Sequence, residues 1–147
     1  MRVEYAMLKK RFVLSFILST AVMMTASYLW HGLILNDLQF VPQPSMLFYA
    51  LAVLTYLIIG FALTFIYTYL SMGIGLKFKA SLMGLAFGFC IYLIAFVFGV
   101  SFKGSGTEHV VVDFMWQMLE QGMGGATIGF IYLLARRRDK FLADSSQ

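Results

Sequence analysis

Asp113, Gln117 and Glu120 recur at spacings of three and four residues at the head of an otherwise apolar stretch, "DFMWQMLEQGMGGATIGFIYLLA". At roughly 100° per residue on a helix, Gln117, Glu120, Gly124 and Thr127 all fall within about 40° of Asp113, so the segment carries one polar stripe. Two carboxylates and an amide on one face can hold a cation, take up a proton or orient a small polar solute. A carboxylate within a membrane span costs several kcal/mol unless it is paired, neutralised or wetted, so Glu120 is a candidate site by default. The bland reading is a protonated Glu120 that only hydrogen-bonds a neighbouring helix.

A second polar face lies far away in the chain. Thr20, Ser27 and His31 fall within about 40° of one another on the first apolar segment. Counted from the basic end at ~1.5 Å per residue, His31 stands ~30 Å high and Glu120 ~24 Å. Side chains lean toward their own helix N-terminus, so on antiparallel helices these two converge, provided that the first and last helices are neighbours. Proximity favours an ionised pair and desolvation favours neutral forms of both; sequence does not rank the two. Asp113 falls at the outer interface, where Trp30 and Trp116 suit the aromatic belt. His109 and Asp113 also suit solvated positions near a helix N-terminus. The candidate binding set is thus His31, Asp113, Gln117 and Glu120.

The elements that must position these groups are transmembrane helices. Only 12% of the 147 residues are charged and 61% are hydrophobic, against about 25% charged in soluble domains. Four apolar segments, 12–35, 46–70, 80–100 and about 110–135, each reach the ~20 residues needed to cross a bilayer. The short connections leave no room for a second domain. The expected fold is all-α, a polytopic membrane protein in which residues 1–147 form a single bundle of four transmembrane helices. The first segment is too long for the apolar core of a cleavable signal peptide, and a retained helix is expected.

Charge placement sets the orientation. Arg2, Lys9, Lys10, Arg11, Lys77, Lys79, Arg136, Arg137, Arg138 and Lys140 lie on one side, and Lys103 alone on the other. That asymmetry places both termini in the cytoplasm. Basic clusters at helix ends form no continuous basic face, so the net charge of +4 implies no nucleic-acid partner. The lone Cys90 excludes an internal disulfide or a CxxC couple and is expected as a small buried hydrophobe. Ten methionines raise the question of copper, but methionine is a common filler of apolar cores. No residue pattern names a cofactor or a metal.

Both prolines fall in "NDLQFVPQPS", which ends the first helix. The GxG in "SMGIGLKFKA" lacks the strand context of a phosphate loop and reads as a turn. "SFKGSGTEHVV" is expected as a mobile loop, and the tail beyond Lys140 as frayed. Small residues indicate packing: Gly84, Gly88, Ala95 and Gly99 share a sector of the third helix, and Gly122, Gly125 and Gly129 share one on the fourth, roughly opposite its polar stripe. Ser15, Ser19 and Ala26 form a weaker stripe on the first helix, interrupted by Val22.

At "WHG" (30–32) and at "DFMWQ" followed by "GMGGATIGFIY", the chain resembles small four-helix bacterial membrane proteins known as families of unknown function. The resemblance implies a multi-pass protein of the inner membrane and carries no activity. Small multidrug transporters share a single intramembrane glutamate, but theirs lies in the first helix. Four-helix di-haem cytochromes need two facing histidine pairs, and both histidines here lie on the outer side.

Two functions follow. The chain is expected to serve as an accessory or structural subunit of a larger membrane assembly, its polar stripe met by a partner helix; a stable monomer or homo-oligomer would favour the alternative. The alternative is binding or transport of a cation, proton or small polar solute through an outward-facing pocket between helices 1 and 4. No motif with catalytic spacing supports an enzyme.

Overall fold

The computed structural model describes residues 2–36, 38, 45–70, 78–97 and 107–145, with the backbone alone for 2–7, 45, 70 and 107–109. Among them there are four helical stretches and no strand. Helix α1 spans Arg2–Ser27 and continues as a π-helical segment, Tyr28–Ile34. Its wide turn is closed by a bond from Leu35 N–H to the Trp30 carbonyl at 2.8 Å. The chain leaves it at Asn36, whose φ of 53° is a left-handed conformation that asparagine tolerates. Helix α2 spans Ser45–Phe65 and also ends in a π-helical segment, Ile66–Leu70. Helices α3 and α4 span Lys79–Val97 and Thr107–Asp144. The expected turn at 71–77 and the loop around Gly104 lie outside the described residues, as do Gly99 and the side chain of His109.

Three helices are long and apolar enough to cross a membrane: Leu8–Ile34, Met46–Tyr69 and Lys79–Val97. The fourth expected span is not among them, because α4 carries Asp113, Gln117, Glu120 and Gln121 in one half and a basic cluster at its end. Both terminal helices extend past their apolar segments: α4 runs on to Asp144, so the tail beyond Lys140 is helical where fraying is expected, and α1 starts at Arg2.

Helix α4 is the centre of the packing. It is antiparallel to α1, with Arg11 bonded to Asp139 at one end and Trp30 stacked on Trp116 at the other. It is also antiparallel to α3, from Gly129 against Ala80 to Val110 against Tyr92. Helix α2 packs mainly on α1, where Phe12 and Phe16 meet Phe61 edge-on at 5.6 and 6.1 Å.

The interior is unusually polar. Fully buried side chains comprise Met23, Leu63 and Ile128 together with Glu120, Gln121, Thr64, Ser15 and Ser19. Large apolar side chains such as Leu54, Ile58, Ile94 and Phe130 point outward. This inverted distribution suits a lipid surround, where helices associate through close packing and interhelical hydrogen bonds instead of hydrophobic burial.

The glycines on facing sides of α3 and α4 do what their spacing predicts. A Cβ on Gly84 would strike the backbone at Gln121, and one on Gly125 would strike the Ala80 carbonyl. Gly88 lies somewhat less close to α4, with the Gln117 carbonyl oxygen at 2.6 Å and Met118 Cα at 2.8 Å from its added Cβ. The contacts at Gly122 and Gly129 are with side-chain atoms, Leu85 Cδ2 at 3.1 Å and Ala80 Cβ at 2.8 Å. On α1, Ser15, Ser19 and Ala26 are buried, with Met23 completing the face while Val22 stands beside it. Cys90 departs from expectation: it is exposed on the outward side of α3.

Candidate functional site

Glu120 is 1% exposed and sits where α1, α2 and α4 meet. Its Oε1 accepts a bond from Gln121 Nε2 at 3.1 Å. The hydroxyls of Ser27 on α1 and Tyr56 on α2 are hydrogen-bonding neighbours of the carboxyl group and of each other, and His31 lies within electrostatic reach. Trp116 flanks the same group, although its indole N–H meets no partner in hydrogen-bonding geometry.

Local structure explains why these groups converge. The π-helical turn of α1 carries Trp30 and His31. Wide turns of this kind are frequent at functional sites, because they displace side chains from the regular helical positions. Trp30 lies flat on Trp116, with centroids 4.3 Å apart and planes 9° from parallel. This stack braces α1 against α4 one turn beyond Glu120. The two tryptophans, expected in the aromatic belt at the same level, also form a contact between helices.

Beside the buried carboxyl lies a cavity of about 680 Å³. Its polar wall is Ser27, His31, Thr55, Tyr56 and Gln117, and the rest is apolar or aromatic, including Phe48, Tyr49, Ile59 and Ile91. A smaller cavity of about 220 Å³ is lined by Asp113, Tyr92 and Trp116 and shares His31, Ile91 and Gln117 with the first. The shared residues form a partition between the two spaces.

The structure therefore places His31, Asp113 and Gln117 around adjoining cavities. Glu120 stands behind Ser27 and Tyr56, one layer back from the wall. The stripe on α4 ends there. Gly124 receives the Met23 side chain, and the Thr127 hydroxyl turns back to the Met123 carbonyl of its own helix at 2.9 Å. On α1, Thr20 separates from Ser27 and His31: it is buried against Gly60 of α2.

Two residues of the site were missed in the sequence, Tyr56 and Gln121. A lone tyrosine in a run of leucine and isoleucine reads as a packing or belt residue. A signal existed nevertheless, since a count from residue 70 puts Tyr56 ~21 Å high, close to the level of Glu120. Gln121 lies toward the glycine side of α4 and so outside the stripe.

In chemical terms the site offers hydroxyl, imidazole and amide groups backed by one carboxyl. It can orient a polar group and hold or exchange a proton. Among the described residues no three His, Cys, Asp or Glu side chains gather as a metal site. No known protein family, curated protein or solved structure matches the chain, so the reading of this site rests on its own geometry.

Proposed function

We propose that the chain is a four-span protein of the bacterial inner membrane, with both termini cytoplasmic, that binds or carries a small solute in the cavity between α1, α2 and α4. The observation that carries this reading is that the polar needs of Glu120 are met by side chains of the cavity wall, Ser27 and Tyr56, and by Gln121. A stripe awaiting a partner helix would leave that carboxyl without such company. The cavity volume of about 680 Å³ also falls in the range of small-molecule sites, ~300–1,000 Å³.

Helix α4 as the fourth span is supported by its neighbour. It runs beside α1 from Arg11 to Trp30, most of the length of an apolar span, so the two helices share one depth. Its polar side chains are enclosed by α1, α2 and α3, which accounts for its low hydropathy. The basic asymmetry supports cytoplasmic termini. A cysteine at exposed position 46, in a Cys90→Ser background, is expected to react with an impermeant label only from outside the cell. Reaction only from the cytoplasmic side would refute that orientation.

A second reading, an accessory subunit or homo-oligomer, is favoured by one feature. Residues 46–55 of α2 are exposed at all positions but Ala52, leaving an open cleft that a partner helix can fill. Native mass spectrometry after mild detergent extraction separates the two readings. The pocket reading expects a stable chain on its own that retains a small molecule; recovery only with other subunits would sink it.

A further inference from the structure

The cavity is not uniformly polar, and the way in which it is divided specifies a ligand. Its polar side chains are Ser27 and His31 on α1, Gln117 on α4 and Tyr56 on α2, with Glu120 immediately behind; the wall along α2 is otherwise mostly apolar, with Phe48, Tyr49 and Val53 on one side of Tyr56 and Ile59 on the other. Tyr49, Val53 and Thr55 line the cavity and are exposed, so it opens to the outside along α2. Helix α2 touches α3 and α4 only sparingly; Tyr56 meets Glu120, and nearer its far end Thr68 and Tyr67 meet Tyr132.

Charge decides the sign of the ligand. Among the described residues, the lysines and arginines of α1 and α4 lie toward the end of the bundle marked by the Arg11–Asp139 pair, and no lysine or arginine is among the groups that act on Glu120. A buried carboxylate repels an anion, and it gains more from a cation than from a neutral group, because a counter-charge offsets the cost of its own desolvation. Aromatic rings beside the path add favourable contacts for a cation.

We propose that the cavity binds a membrane-dissolved organic cation, an amphiphile with one positive charge whose head lies against Ser27 and Tyr56 and whose apolar part lies along α2. The proposal rests on the pocket reading above and gives it a substrate class. Entry is lateral, from the leaflet at the tryptophan end.

The test uses the full chain in nanodiscs of zwitterionic lipid, with radiolabelled dodecyltrimethylammonium and dodecanol as probes and empty nanodiscs as the baseline. The ammonium is expected to bind saturably, near one per chain, and at least about tenfold more tightly than the alcohol, a difference of ~1.4 kcal/mol. Glu120→Gln is expected to remove that preference and Glu120→Asp to retain it. Where Glu120→Gln does not fold, Tyr56→Phe with Ser27→Ala is expected to weaken ammonium binding and leave the alcohol unchanged. Ala52→Phe, which fills the cavity away from the carboxyl, is expected to block both probes. Equal binding of the two probes, or a preference that survives the loss of the carboxyl, overturns the cation assignment and leaves the pocket reading standing. No specific binding of either probe overturns both.

Discussion

Along α4, the side that meets α3 and the side that meets α1 and α2 differ in what fills the space between backbones. Toward α3, between Ala80 and Gly88, almost nothing does: Gly84, Gly88 and Gly125 bring main chain against main chain, and only farther along do Phe89 and Tyr92 meet Phe114. Toward α1 and α2 the gap holds Met23, a tryptophan stack, a buried carboxyl and the larger cavity. Close-packed backbones have few alternative arrangements, whereas an interface of polar side chains around open volume can rearrange when a ligand enters. One helix thus serves as a fixed scaffold on one side and as the wall of a site on the other. Its polar groups and its glycines were sorted onto those two sides by the helical period alone.

The sharpest way to break this comparison uses two adjacent residues. Gly125→Leu is expected to be the most damaging single change, costing on the order of 3 kcal/mol or more, because an added side chain meets the Ala80 carbonyl and the Gly84 backbone, which cannot move aside. At Gly124 the obstacle is the flexible side chain of Met23, with Sδ 2.5 Å from an added Cβ. Gly124→Ala should therefore cost less than Gly125→Ala. Thermal denaturation in detergent measures all three variants; equal losses for the two alanine variants would show that the two sides of α4 do not differ as described.

A double-mutant cycle on His31→Ala and Glu120→Gln comes next. The two groups share one environment, so the double variant is expected to lose less than the sum of the single losses, with a coupling of ~0.5–3 kcal/mol. Strict additivity would mean that the imidazole and the carboxyl act independently. Tyr132→Phe is expected to cost ~0.6–1 kcal/mol, since it removes the 2.7 Å bond to Thr68 that ties α2 to α4. Arg11→Ala should have the smallest effect, ~0–1 kcal/mol, because its ion pair with Asp139 is partly exposed. An Arg11 loss exceeding that at Tyr132 would move the anchor of the assembly from its interior to its rim.

Much of the site was legible because two simple rules sufficed. The helical period put Asp113, Gln117 and Glu120 on one face, and the lean of side chains along antiparallel helices brought His31 toward Glu120. The same period put Gly84 and Gly88 on one side of α3, where Gly84 meets Gly122 and Gly125 while Gly88 meets the backbone of Gln117 and Met118. Tyr56 escaped because helix α2 carries no stripe to which it belongs; its role comes from depth and from which helix lies opposite, a tertiary fact. Cys90 was misplaced because a small residue in an apolar helix has no period of its own to say which side it takes. The expectation of a fourth span rests on the length of its apolar segment, whereas the polar residues of α4 keep it out of the three helices that are long and apolar enough to cross a membrane.

The π-helical turn at Tyr28–Ile34 has a consequence for how the chain tolerates changes in length. A wide turn accommodates one residue more than a regular helix would over the same rise, so it behaves as an absorbed insertion. Deleting Leu33 would allow the segment to relax to an α-helix with the residues on either side close to their present orientation, whereas a deletion in the regular part of α1 would turn everything beyond it by about 100°. What the deletion would disturb is the turn itself, and with it the displacement of Trp30 and His31. In this region the chain therefore tolerates a change in length that the regular helix between Ser15 and Ala26, where each residue must keep its face, does not.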